Sequence, residues 1–236
     1  MNSLRLMTYN VAGHIGRQHS FDAERIVRIL GDTDADVVAL QEVYEPTRGE
    51  GLISALQELG YRTIHFGPAV RHREGKYGNA LLIRASADRI EECDLSVRDQ
   101  EPRSAIRADF RHGEERIRVA ATHFGLLPWE REKQIERLGA WLDELPDPVD
   151  RRFVLGDLNE WWPFSNRETL IRDCLGQGRR LRTFPARFPL LRLDRILVDR
   201  PTAKMEWRRV DHPEVAGASD HLPLLLEYGI DLSFEP

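Results

Sequence analysis

Apolar runs that stop abruptly on an acid, an amide or an imidazole recur along this chain, and they restrict its folding more than any other feature. The plainest is Phe153-Val154-Leu155-Gly156-Asp157-Leu158-Asn159-Glu160. Side chains alternate between the two faces of a strand, which predicts that Asp157 and Asn159 project the same way, into the space past the strand's end. A carboxylate there can hold or deprotonate a water, and an amide can orient an oxygen anion. Similar endings occur at Asn10, at Glu42, at His123 and at Asp220-His221. Singly, each has a bland explanation: a turn residue, a surface carboxylate, a satisfied core histidine, an ordinary loop. Together they supply hard-cation ligands (Glu42, Asp220, with Asn10 close by), a water-activating carboxylate and two imidazoles. Two packed sheets would bring them to one rim.

The intervening sequence supports such a fold. Residues 4–11 and 36–42 read as strands, the second so continuously apolar that both of its faces should be covered. Between them lies a polar loop with His14, Gly16 and His19. Ser20 is then the expected N-cap of a helix burying Phe21, Ile26, Ile29 and Leu30. Leu52, Ala55, Leu56 and Leu59 predict a second helix, ended by Gly60. Residues 61–66, 78–84, 89–97, 104–110 and 117–122 read as strands, with one charged loop at 71–76. A helical stripe of Ile135, Leu138, Trp141, Leu142 and Leu145 closes at Pro146 and Pro148. Beyond the Phe153 strand come a short helix at 168–175, an irregular stretch at 179–192, and strands at 193–198, 203–210 and 222–228. No linker or repeat divides the chain. A single α/β domain, residues 1–236, is expected.

With 236 residues, 41% hydrophobic and 31% charged, the chain can bury a full core. A formal net charge of -5 supplies no global basic field to recruit nucleic acid. Cys93 and Cys174 are too few for a disulfide framework and are not spaced as a metal clip. No charged leader with an apolar core opens the sequence, and no apolar run is long enough to span a bilayer. The default expectation is therefore a cytoplasmic protein with no transmembrane segment; nothing implies a protein partner.

Six words of this sequence resemble, in order, the motifs of the endonuclease/exonuclease/phosphatase superfamily, the DNase I-like fold. They are Thr8-Tyr9-Asn10-Val11, Leu40-Gln41-Glu42-Val43, Thr122-His123-Phe124, Gly156-Asp157-Leu158-Asn159, Leu193-Asp194-Arg195-Ile196 and Ser219-Asp220-His221-Leu222-Pro223. The resemblance runs from residue 4 to residue 228. It implies a four-layer α/β sandwich of two packed mixed β-sheets, with helices on the outer faces and the active site at one edge. It also implies hydrolysis of a phosphoester with Mg²⁺ or Mn²⁺. By the same resemblance Glu42 binds the metal, Asn10 fixes the metal shell or a phosphate oxygen, and Asp220 completes the metal site or supports it. Asp157 positions and deprotonates the attacking water, and Asn159 holds that water or the phosphoryl group. His221 contacts the phosphate or takes the water's proton, Asp194 accepts its other N–H, and His123 donates to a phosphoryl or leaving oxygen. Whether Asp157 or His221 is the base stays open. The histidine at 123 resembles the DNase I, sphingomyelinase and inositol-phosphatase branches; apurinic-site endonucleases carry tyrosine in that word. Nothing here matches the secretion and disulfides of DNase I itself, and residues 183–195 resemble a group of small bacterial members.

Substrate features are sparser. Between Arg179 and Arg195 there are six arginines and one acid, Asp194. Several would pair with distant carboxylates, but the stretch could also form an anion-attracting wall, with Arg187 first among the phosphate contacts. Arg103 and Arg107 rank lower. Trp161, Trp162, Phe164, Phe184 and Phe188 flank the motifs and would either pack under loops or form an aromatic rim for a nucleobase or a lipid, with Trp162 the one expected at the substrate. A small-molecule or lipid phosphodiester is the favoured anionic substrate. A phosphomonoester is second, and DNA or RNA is disfavoured because phosphate contacts dominate duplex affinity. A catalytically inactive binding module on this fold ranks last, since every motif position holds a competent residue.

Overall fold

The computed structural model describes residues 3–13, 22–144, 147–162 and 165–229. In chain order the first elements are β1 (Ser3–Asn10), α1 (Ala23–Thr33), β2 (Val37–Pro46), α2 (Leu52–Leu56), β3 (Thr63–Arg71) and β4 (Gly75–Ile83). There follow β5 (Arg89–Asp94), β6 (Ser104–His112), β7 (Glu115–His123), α3 (Pro128–Asp143) and β8 (Arg151–Asp157). The last are α4 (Asn166–Cys174), β9 (Asp194–Val198), β10 (Met205–Arg209), α5 (Val215–Ala218) and β11 (Leu224–Gly229).

The strands form two mixed sheets, ordered β10-β11-β1-β2-β4-β3 and β5-β6-β7-β8-β9. Their parallel pairs are β1 with β2 and β7 with β8, each joined by a crossover that contains a helix. Strand alternation sorts the apolar residues into layers. Leu4, Leu6, Val37 and Ala39 from one sheet meet Val119, Ala121, Phe153 and Leu155 from the other, forming a core between the sheets. Met7, Tyr9, Val38 and Leu40 face the opposite way, onto Ile26, Ile29 and Leu30 of α1. Ala120 and Val154 face Ile135, Leu138 and Leu142 of α3. Covering both faces is why residues 37–40 of β2 and 153–155 of β8 read as unbroken apolar stretches. Each fully buried large side chain such as Phe153 stabilises this arrangement by about 1.5–3 kcal/mol. The result is the four-layer sandwich the sequence implied.

Several boundaries differ from the sequence reading. The N-cap of α1 is Asp22, whose carboxylate accepts from Arg25 N–H at 3.0 Å, not Ser20. Ser20 and Phe21, like His14, Gly16, His19, Leu145, Pro146, Pro163 and Phe164, lie outside the described residues. The charged loop at 71–76 shrinks to a turn at 72–74: β3 and β4 pair out to Arg71 and Lys76, with His72 N–H donating to Gly75 O across the turn. Backbone pairing with a neighbouring strand overrides the polar side chains here, because both faces of this hairpin tip need not be apolar. The strand expected at 89–97 stops at Asp94, where Asp94 Oδ1 caps Ser96 N–H at 2.8 Å.

Candidate active site

The polar strand ends continue the parity of the inter-sheet core. Leu4 and Leu6 lead by twos to Asn10; Val119 and Ala121 lead to His123; Phe153 and Leu155 lead to Asp157; and Asp194 precedes Ile196 and Val198. The side chains that face the opposing sheet thus change from apolar to polar at one edge. Strand register brings them side by side, with His123 opposite Asp157 and Asp157 opposite Asp194. Gly156 permits the close approach of β7 and β8, since a Cβ on it would lie 2.0 Å from the Thr122 carbonyl oxygen.

Glu42 does not follow parity. Alternation would put Gln41, not Glu42, on the inter-sheet face after Val37 and Ala39. Between Leu40 and Val43 the register of β2 against β4 shifts, so Gln41 and Glu42 together oppose Asn79. This bulge holds Glu42 at φ +59°, a left-handed conformation that costs a non-glycine residue about 1–3 kcal/mol. It turns the carboxylate into the cleft, where Asn10 Nδ2 donates to Glu42 Oε1 and to Asp157 Oδ2, both at 3.1 Å. Asn10 Oδ1 accepts from Ala12 N–H at 3.0 Å, which fixes the orientation of the amide. Asn10 therefore turns its amide donors on two carboxylates and clamps them together.

Asn159 is also placed by a device other than alternation. β8 ends at Asp157, whose Oδ1 accepts from Asn159 N–H at 2.9 Å, and Asn159 sits at φ +52°. Its Nδ2 donates to Phe124 O at 2.8 Å and lies 3.2 Å from His123 Nε2. That histidine nitrogen is 3.7 Å from Asp157 Oδ2 and 4.0 Å from Glu42 Oε1.

His221 enters from the loop between α5 and β11. Ser219 Oγ donates to Asn10 O at 2.6 Å and accepts from His221 N–H at 3.0 Å, tying this loop to the end of β1. The Phe184 ring packs on the imidazole with centroids 4.9 Å apart. His221 Nδ1 is 2.9 Å from Asp194 Oδ2, and Nε2 faces Asp157 Oδ2 at 3.8 Å. Burial alone would lower the imidazole pKa. The charge and hydrogen bond of Asp194, with the charges of Asp157 and Asp220, outweigh it and raise the pKa to about 10. Asp157 goes up to about 6, driven by burial and by Asp194, against the pull of His221, Asn159 and Asn10.

Glu42, Asp157 and Asp220 line one cleft of about 630 Å³ with His123, His221 and Asn159. This donor set suits a hard divalent cation, because carboxylate oxygens from several elements face one cleft, and burial already disfavours the charge of Asp157 among them. One ligand atom each from Asp157, Asp194 and His221 also lie within 4.8 Å of one another. There the Asp194–His221 contact is itself a hydrogen bond, so an orienting pair describes those two better than a metal site. Glu42, with Asp220, is the better candidate holder of Mg²⁺ or Mn²⁺.

The substrate-contact residues fall differently from expectation. Arg103 is buried in the cleft wall, bonded to Glu101 at 3.1 Å. Arg187 is exposed, and neither it nor Trp162 is among the lining residues; Trp161 takes the place expected of Trp162. Arg107 turns to the outer face, pairing with Glu91 at 2.5 Å and stacking on Trp141. Arg180 and Arg195 share Glu168 at 3.2 Å, the pairing role anticipated for part of the arginine stretch. Tyr77 was not singled out in the sequence, yet it lines the cleft beside Glu42. Burial and the Glu42 charge push its phenol pKa upward. It lies near the start of β4, between the charged loop read at 71–76 and the strand read from 78, and that hid it.

Comparison with known proteins identifies the family and supports the fold. The model of the Endonuclease/Exonuclease/phosphatase family matches residues 7–221. The uncharacterized protein YbhP of Escherichia coli (strain K12) is 30% identical over 253 residues, covering 95% of this chain and 96% of that protein. A family protein from Leptotrichia buccalis C-1013-b superposes with TM-score 0.77 at 16% identity, covering 96% of this chain and 100% of that one. ANGEL2, a 2',3'-cyclic phosphatase, superposes with TM-score 0.72 at 16% identity, covering 95% of this chain and 94% of that one. At these identities the structural matches speak for the fold.

Proposed function

The chain belongs to the endonuclease/exonuclease/phosphatase family, and on that premise we propose that it is a divalent-metal-dependent phosphodiesterase acting on a small-molecule or lipid phosphodiester. One observation carries the reading: Glu42, His123, Asp157 and His221 line a single cleft, with Asn10 and Asp194 buried behind them and bonded to them. A bound Mg²⁺ or Mn²⁺, with Glu42 and Asp220 as holders, would neutralise charge that grows on the phosphoryl oxygens.

In this reading Asp157 holds the attacking water through its carboxylate and takes its proton. Burial brings its basicity nearer to neutrality than an ordinary aspartate's, as a general base requires. His221, kept protonated by Asp194, donates from Nε2 to a phosphoryl oxygen, and Asp194 fixes its ring through Nδ1. His123 and Asn159 form a second polar wall, suited to the leaving oxygen. Asn10 holds Glu42 and Asp157 at a constant separation. Arg103 is the cleft's candidate contact for the substrate's remaining negative charge. Val70, Leu126, Trp161, Phe184 and Leu191 give the walls an apolar character that favours a diester with an apolar substituent over a bare phosphomonoester.

A substrate panel tests this: a chromogenic phosphodiester, a phosphomonoester, a plasmid and a phospholipid, each with Mg²⁺, Mn²⁺ or chelator. Hydrolysis of the diester should need the metal and fall by roughly 10²-fold or more in Asp157→Asn. Activity surviving both chelator and substitution would refute the mechanism, and faster turnover of the plasmid or the monoester would reassign the substrate.

A further inference from the structure

The large hydrophobic side chains left exposed among the described residues sit on three loops and, for Trp129, on the first turn of α3 beside one of them. Leu126, Leu127 and Trp129 follow β7, Trp161 and Trp162 follow β8, and Phe188 and Leu190 precede β9. All three loops leave the same sheet edge, because β7 and β8 end together at His123 and Asp157, and Asp194 opens β9 opposite Asp157. Leu126, Trp161 and Leu191 belong at once to these loops and to the cleft lining, so the apolar rim is continuous with the mouth of the site. The third loop is built to project. Phe188 N–H donates to Pro185 O at 3.1 Å, and Leu190 and Leu191 N–H both donate to Phe184 O at 2.8 Å. At its tip Phe188 is 77% exposed and Leu190 65% exposed. So concentrated a set of apolar side chains beside a cleft marks an interaction surface.

Charge identifies the partner. Residues 182–193 carry Arg182, Arg187 and Arg192 and no acid, in a chain of net charge -5. Lys133 lies 5.4 Å over the Trp129 ring. Of the acids beside the other two loops, Glu160 pairs with Arg131 and Arg167 and Glu132 with Arg167, while Glu130 is buried and accepts from Leu127 N–H and the Gln134 amide. Leucines cannot stack on nucleobases as aromatic rings do. Leucine, phenylalanine and tryptophan interspersed with cations suit the boundary between anionic headgroups and acyl chains. We propose that this rim seats the cleft on an anionic phospholipid surface. The proposal deepens the phosphodiesterase reading and rests on it only for what the docked cleft would do.

The experiment separates the two. The full chain is mixed with phosphatidylcholine vesicles, with or without phosphatidylglycerol, and binding is read by co-sedimentation and by tryptophan quenching with acyl-brominated lipid. Phosphatidylglycerol vesicles should bind and quench, and Phe188→Ser/Leu190→Ser should weaken binding roughly tenfold or more. That variant should leave the melting temperature and hydrolysis of a soluble chromogenic diester unchanged. Absence of vesicle binding, equal binding by the double variant, or binding to a single-stranded oligonucleotide in place of vesicles would each overturn the docking proposal. If the soluble diester is still hydrolysed, the enzymatic reading survives that failure. Vesicle binding without metal-dependent hydrolysis of any ester would have the opposite meaning.

Discussion

Asp194→Asn should lower kcat/KM for a chromogenic phosphodiester by roughly 10- to 150-fold while leaving the protein folded. Asp194 is fully buried, and its Oδ2 lies 2.9 Å from His221 Nδ1. Hydrogen bonds to charged groups contribute about 1.5–3 kcal/mol, and each 1.4 kcal/mol or so is a factor of ten, which gives that range. Asparagine has nearly the same shape, so packing is retained, but it brings no charge. The pH profile carries the diagnostic information. In the wild type the imidazolium persists until pH approaches about 10. In the variant the carboxylate that outweighs burial is gone, so the alkaline limb of kcat/KM should move down toward the ordinary histidine range. The assay is steady-state hydrolysis across that range at saturating Mg²⁺, with circular dichroism as the folding control. A variant within a factor of three of wild type, with its alkaline limb unmoved, would refute the assignment of His221 as an imidazolium oriented by Asp194.

Glu42→Gln keeps an acceptor for Asn10 but removes the charge, so the Mg²⁺ concentration for half-maximal activity should rise roughly 10–100-fold or more, read by metal titration. Gly156→Ala should destabilise by about 3 kcal/mol or more in urea unfolding, because its Cβ meets backbone 2.0 Å away; an unchanged midpoint would contradict the packing of β7 on β8. Stability of the chelated protein should fall with rising pH. The raised pKa of His221 contributes stability that is complete below 6.5 and lost as pH climbs through about 10. Asp157, raised from 3.8 to about 6, likewise favours folding only while protonated, so its contribution fades across that lower window. Urea midpoints measured against pH should show both declines, His221→Asn should flatten the upper one, and Mg²⁺ should counter the lower one by favouring the ionised carboxylate.

Much of the site was legible because strand periodicity and motif order are local properties. Counting by twos from Leu4, Val119 or Phe153 arrives at Asn10, His123 and Asp157 on the inter-sheet face. Periodicity does not explain the placement of side chains where the backbone leaves the pleat. The bulge that turns Glu42 inward exists only against Asn79 of β4, and the left-handed Asn159 is held by Asp157 and Phe124. Composition likewise singled out arginines and tryptophans, but it favoured Arg187 and Trp162 where Arg103 and Trp161 line the cleft. Arg103 over Arg187, and Trp161 over Trp162, depends on where each loop leaves its sheet.

From its own order of residues, then, this chain determined two double-covered sheets, their helices, and polar groups at the strand ends. Only the packed structure decided that Asn10 clamps two carboxylates together, that Tyr77 stands beside Glu42, and that the exposed apolar side chains gather at one rim. The reason is physical: alternation and propensity act between neighbours in sequence, whereas hydrogen-bond direction, bulge register and loop placement are set by groups brought near only when both sheets close on a shared core.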